Sequence, residues 1–166
     1  MLAGLRERRR VAFVATAQAG DADMAARIAR HRAERPVHWL TIEEPFALPP
    51  RLTSLARDAD SVVVDCVTVW VANLLMRGDR DPDILAAGDE IAALAARGLF
   101  DLTLVTNEVG EGVVPSTADG VRFRDLLGVV NQRLAMACDR VTLMVAGLPV
   151  TIKTPGGGHD LTQQTA

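Results

Sequence analysis

Apolar residues fall along this chain in short, dense runs separated by longer stretches rich in alanine and leucine. The runs are "VAFVAT" (11–16), "SVVVDC" (61–66), "LTLVTN" (102–107) and "VTLMVA" (141–146). Each is apolar on both faces, as a parallel strand covered by helices on both sides should be. The intervening stretches 21–34, 83–97 and 121–138 predict helices, and 67–76 predicts a shorter one. "VHWLTI" (37–42), with Pro36 before it and Pro45 after it, predicts an extra, exposed strand. Strands alternating with helices in this way predict an α/β fold on a mostly parallel sheet.

Composition narrows the picture. With 166 residues, 49% of them apolar, the chain has material for one globular domain, expected over 1–153. The remaining "TPGGGHDLTQQTA" (154–166) is glycine-rich and polar and is expected to be disordered, with His159 solvated. A net charge of −3 argues against a general nucleic-acid or membrane-surface role, although arginines cluster between Arg27 and Arg35. No apolar stretch approaches the ~18 residues that span a bilayer. "MLAGLRERRR" has no apolar signal core, and its Arg6, Arg8, Arg9 and Arg10 read as the solvated end of a helix leading into the first strand. Cys66 and Cys138 have no paired spacing, which fits a reducing, cytoplasmic setting.

In open α/β sheets ligands collect at the carboxyl ends of the strands, so the polar residue ending each run is a candidate. Those residues are Thr16, Asp65 and the pair Asn107-Glu108. An acidic residue after "VVV" suits a Walker B position holding Mg²⁺ beside nucleotide phosphates, and it equally suits a cap on the next helix. "TNEVGEGVVP" (106–115) is either a ligand-cradling loop, with Gly110 and Gly112 free to take positive φ, or a long turn. In the predicted helix 21–34, Met24, Ile28 and the alanines face the core, while Arg27 and His31 share a face at its edge and Arg35 extends that line. Arginines beside an imidazole penalise its protonated form, and the same guanidiniums bind phosphate bidentately. A histidine that attacks a nucleoside triphosphate needs both conditions, yet a solvated helix end explains the residues as well.

Four ordered blocks carry a resemblance that reaches from about Val11 to Lys153. They are "FVATAQAGDADMAARIARHRAERPVHWLTIEEP", "VVVDCVTVWVANLL", "LVTNEVGEGVVP" and "FRDLLGVVNQRLAMACDRVTLMVAGLPVTIK". Together they resemble the bifunctional adenosylcobinamide kinase/adenosylcobinamide-phosphate guanylyltransferase family of cobalamin biosynthesis. The resemblance implies a P-loop-NTPase-like, RecA-like fold and two reactions. ATP or GTP phosphorylates adenosylcobinamide; GTP then forms a GMP–histidine intermediate from which GMP passes to the cobinamide phosphate. In the "RI-x-x-H-x-x-x-RP" pattern that histidine is His31. The resemblance further implies nucleotide contacts from Thr16, Ala17, Gln18, Glu34, Arg35, Pro36, Glu43, Asp65 and Asn107. It also implies Mg²⁺ at Asp65 and a homo-oligomer. Trp39 and Trp70 suit a corrinoid platform or equally a core or subunit contact.

One part of the family pattern has no counterpart in these 166 residues: the first strand and its "GGxxSGKS" loop. "MLAGLRERRR" resembles only the end of the helix that follows that loop. The expectation is a poor kinase as the chain stands, with a start some ~25 residues upstream, judged from ordinary α/β unit lengths. A non-catalytic remnant that binds nucleotide or corrinoid without turnover is the alternative. Since that strand is central in such sheets, its neighbours are expected to lose ladder hydrogen bonds.

Overall fold

The computed structural model describes residues 10–156, so the basic Arg6, Arg8 and Arg9 and most of the glycine-rich tail, His159 included, lie outside the described residues. Strands β1 (Val11–Ala15), β2 (Leu40–Glu43), β3 (Ser61–Asp65) and β4 (Asp101–Val105) form one sheet in the order β2-β1-β3-β4. Every neighbouring pair is parallel. The mostly parallel α/β class expected from the runs is therefore the class observed. The expected gap is absent: β3 pairs with β1 on one side and directly with β4 on the other.

The register brings the carboxyl ends of the strands level. Ala15 pairs with both Glu43 and Asp65, and Asp65 pairs with Val105. Thr16, Cys66 and Thr106 therefore leave the sheet along one edge. Side chains alternate across the strands, and the two faces differ in size. Ala12, Val14, Val62 and Val64 enter the large core with Leu48, Leu52, Trp70, Ile84, Ile91, Leu127 and Val130. Val11, Phe13, Ala15 and Val63 form a smaller cluster with Trp39 on the other face.

Helices α2 (Leu48–Ser54), α3 (Val67–Arg77), α4 (Asp81–Ala96) and α5 (Ala118–Ala137) each bury apolar residues. Helix α2 was not foreseen; it carries Pro49 and Pro50 in its first turn, where proline is tolerated because its missing N–H has no partner anyway. Helix α1 (Ala22–Ala33) corrects an expectation, for it has no buried residue. Met24 and Ile28 are half-buried and the alanines are exposed. Two large apolar side chains amid arginines supply too little area to seat a helix deeply.

"VTLMVA" is the second correction. β5 (Val141–Val145) does not join the parallel sheet but pairs antiparallel with β6 (Leu148–Lys153) in a separate two-stranded sheet. Ala146 and Gly147, at φ 49° and 79°, turn the chain back in two residues, whereas parallel pairing needs a long crossover. Lys153 Nζ donates to the carbonyls of Ala135 (3.1 Å) and Met136 (2.9 Å), tying the hairpin to the last turn of α5. Among the described residues no helix is long and apolar enough to cross a membrane.

Candidate active site

The strand ends are joined by buried polar groups. Thr16 is fully buried, and its hydroxyl both donates to the Cys66 carbonyl (2.8 Å) and accepts from the Cys66 N–H (2.9 Å). Its backbone N–H donates to the Asp65 carbonyl at 3.1 Å. Asn73, on α3, donates to the carbonyls of Thr16 (2.8 Å) and Pro45 (3.1 Å). Trp70 Nε1 donates to the Phe46 carbonyl at 2.9 Å, which makes this indole a core residue rather than a platform. Asp65 does not cap α3: the cap residue is Cys66, with no side-chain cap bond, so the capping alternative for Asp65 falls. Burial pushes the Cys66 thiol up, against hydrogen bonds from Val69 and Thr68.

Beside this edge, on the β1–β2 side, lies a cavity of about 120 Å³ lined by Phe13, His31, Glu34, Arg35, Pro36, Trp39 and Asp65. Each lining residue has a structural reason to be there. His31 and Glu34 come from the last turn of α1 and its cap, a helix started by Asp21, whose carboxylate accepts from the Met24 N–H at 2.7 Å. Pro36 follows and turns the chain toward Trp39, whose N–H donates to the Pro36 carbonyl at 3.0 Å. The Arg35 guanidinium lies over the Phe13 ring, 3.7 Å from its centroid. Phe13 in turn stacks with Trp39 at 6.3 Å between centroids and 25° between planes. Burial lowers the Arg35 pKa, Asp65 draws it up, Arg32 pushes it down and Glu43 draws it up. Arg35 is thus a partly desolvated cation facing a strand-end carboxylate, the kind of charge that an anionic ligand stabilises strongly.

Of the residues singled out in the sequence, the cavity gathers His31, Glu34, Arg35, Pro36, Trp39 and Asp65. Thr16 lies beside it but spends its hydroxyl on Cys66, and Ala17 and Gln18 follow at the edge, Gln18 exposed. Glu43 is exposed and meets Arg32 at 3.6 Å. Asn107 is on the far side of Asp65, at the end of β4, where its N–H donates to Thr68 Oγ1 (2.8 Å) and its carbonyl accepts from Asn131 (3.1 Å). Gly110 and Gly112 are not at positive φ, so the loop takes its course without that freedom. Phe13 is the lining residue that sequence reasoning missed. Its signal was the alternation on β1, which sets Val11, Phe13 and Ala15 on the face opposite the main core. Among the described residues no three His, Cys, Asp or Glu side chains cluster as a metal site.

A family model described as cobinamide kinase / cobinamide phosphate guanyltransferase matches residues 2–152. The chain is 46% identical over 145 residues to the bifunctional adenosylcobalamin biosynthesis protein CobP of Pseudomonas aeruginosa, covering 86% of this chain and 82% of that protein. It is 42% identical over 155 residues to the bifunctional adenosylcobalamin biosynthesis protein CobU of Salmonella typhimurium, and 41% identical to that of Escherichia coli, with 86% of each chain covered.

Proposed function

The chain belongs to the cobinamide kinase / cobinamide phosphate guanyltransferase family, and from that premise we propose that it makes adenosylcobinamide-GDP in two steps. ATP or GTP first phosphorylates the hydroxyl of the aminopropanol arm of adenosylcobinamide. GTP then guanylylates His31, and the cobinamide phosphate takes the GMP. The observation that carries this reading is the cavity in which His31, Glu34 and Arg35 face Asp65.

Residue roles follow from that arrangement. A ring nitrogen of His31 attacks the α-phosphorus of GTP; the N–P bond forms, the bond to pyrophosphate breaks, and pyrophosphate leaves with the electron pair. The phosphate oxygen of the acceptor then attacks the same phosphorus and releases the imidazole. Arg35, half-buried and held over Phe13, supplies paired N–H donors to phosphate oxygens. Glu34 and Glu43 supply acceptors for donor groups of the nucleotide, while Thr16, Ala17, Gln18, Pro36 and Asn107 shape the edge on which it lies. Mg²⁺ fits Asp65, a half-buried carboxylate with no side-chain hydrogen bond among the described residues. That ion keeps several waters, takes substrate phosphates and needs only one or two protein carboxylates. When bound it supplies neutralisation of triphosphate charge. A homo-oligomer belongs to the same reading, supported by Met144, Val145 and Leu148, exposed on a two-stranded sheet too small to be stable alone. A cytoplasmic setting is supported by the two free cysteines.

The test is labelling of the full-length protein with α-labelled GTP. The expected product is a protein-bound phosphoramidate, labile to acid and stable to alkali, that disappears in His31→Ala. Label retained in that variant would move the nucleophile elsewhere, and no label on the wild type would sink the guanylyl-transfer step.

A further inference from the structure

Glu108 stands at the other end of the edge from the His31 cavity and is not among its lining residues. It is exposed, three residues beyond Val105, whose partner across the ladder is Asp65. Asp65 thus separates the two: the cavity opens on its β1 side and Glu108 lies on its β4 side.

What distinguishes Glu108 is how it is held. Asn131, on the buried face of α5 beside Leu127, Val130 and Leu134, is only 9% exposed. Its side-chain carbonyl accepts from Thr106 Oγ1 at 2.7 Å. Its amide nitrogen donates to the Asn107 carbonyl (3.1 Å) and to Glu108 Oε1 (3.0 Å). Burying an amide is costly unless it is satisfied, and here one of its bonds goes to an exposed carboxylate. The Asn107 N–H donates to Thr68 Oγ1 and fixes the same turn from α3. Among the described residues Glu108 has no ion pair, and a neutral amide orients it. Asp65, in contrast, faces Arg35. Two carboxylates on adjacent strand ends therefore have environments suited to different roles: one engaged with cationic and phosphate chemistry, the other oriented with an oxygen to spare.

We propose that Glu108 is the general base of the phosphorylation step, positioned by Asn131; this rests on the function proposed above. The oxygen of the substrate hydroxyl attacks the γ-phosphorus, the new O–P bond forms, and the bond to the leaving nucleoside diphosphate breaks with its electron pair. The hydroxyl proton passes to the Glu108 carboxylate. Guanylylation of His31 abstracts no hydroxyl proton and does not use this group.

The two half-reactions provide the test, since His31 is guanylylated with GTP alone. In the full-length protein, Glu108→Gln keeps size and exposure and removes the base. The expected result is a fall of at least about a hundredfold in kcat for phosphorylation of cobinamide, the range of lost general-base catalysis. KM for cobinamide should change little and His31 labelling should stay within about threefold of wild type. Phosphorylation left within threefold would overturn the assignment. So would an equal loss of both half-reactions, which marks a structural effect, or a loss confined to KM, which marks a binding role. Wild-type protein that is labelled at His31 but does not phosphorylate cobinamide would also overturn the assignment, whereas one lacking both half-reactions would overturn the reading of function on which it rests.

Discussion

The two flanks of the strand edge are held in opposite ways. On the β3–β4 side, α3 and α5 each bury five residues, and Thr68 of α3 and Asn131 of α5 hold Thr106 and the turn that follows it, while Asn73 of α3 reaches across to the carbonyls of Thr16 and Pro45. On the β1–β2 side, α1 buries none. Its attachments near His31 are the Arg32–Glu43 pair at 3.6 Å, both side chains more than half exposed, and the seat of Arg35 on Phe13. Such a pair contributes little, in the range of ~0–1 kcal/mol. The residue proposed to form a covalent bond therefore rides on the less anchored element, while the carboxylates sit on the better anchored one. Local opening free energy falls with buried apolar contact, so α1 belongs at the low end of the stability range of this domain.

That contrast can be broken from its strong side first. Trp70→Ala removes a fully buried indole and its bond to the Phe46 carbonyl, and should cost about 3–5 kcal/mol, read as a lower urea midpoint. A loss under about 1 kcal/mol would mean that α3 is not the anchor described. Thr16→Val keeps the shape but leaves the Cys66 N–H unpaired; it should cost about 1–3 kcal/mol and lower His31 labelling through the displaced Asp65. Stability lost without any change in labelling would separate the strand-end lattice from the cavity. The smallest global effect is expected at the weak side. Asp21→Ala removes the cap of α1, worth about 1 kcal/mol to that helix. Amide exchange should quicken over the first turns of α1 while the urea midpoint barely moves, and a midpoint shift as large as that of Thr16→Val would erase the distinction between the flanks.

Much of the strong flank was legible in the sequence. Consecutive valines at 62–64 mark a strand buried on both faces, and Asp65 ends it where the structure ends it. The weak flank was misread because periodicity records which residues share a face and not whether the face has enough area to be buried. Met24 and Ile28 sit at the right spacing, but alanines and arginines fill the rest of α1. "VTLMVA" was misread for another reason: strand propensity says nothing of the partner, and the two-residue turn at Ala146-Gly147 decides it. His31 and Arg35 could be paired from helical spacing, but Phe13 and Trp39 reach the same cavity only through the register of β1 beside β2. Glu108 was visible as a strand-end residue, and its distinction came from Asn131, on a helix whose angle to the sheet no local pattern encodes.

The loop after β4 is fastened at both ends. Asn131 grips its start, and at its return a Cβ on Gly120 would come within 2.7 Å of the Pro115 ring. A segment clamped in this way has freedom of length only in its middle, around Gly110–Val114, where Val113 and Val114 are exposed and nothing lies within 4 Å of a Cβ built on Gly110. Insertions and deletions among relatives should collect there and avoid Thr106–Glu108 and Pro115–Gly120, so the reach of this loop over a large substrate is free to vary while its two moorings stay put.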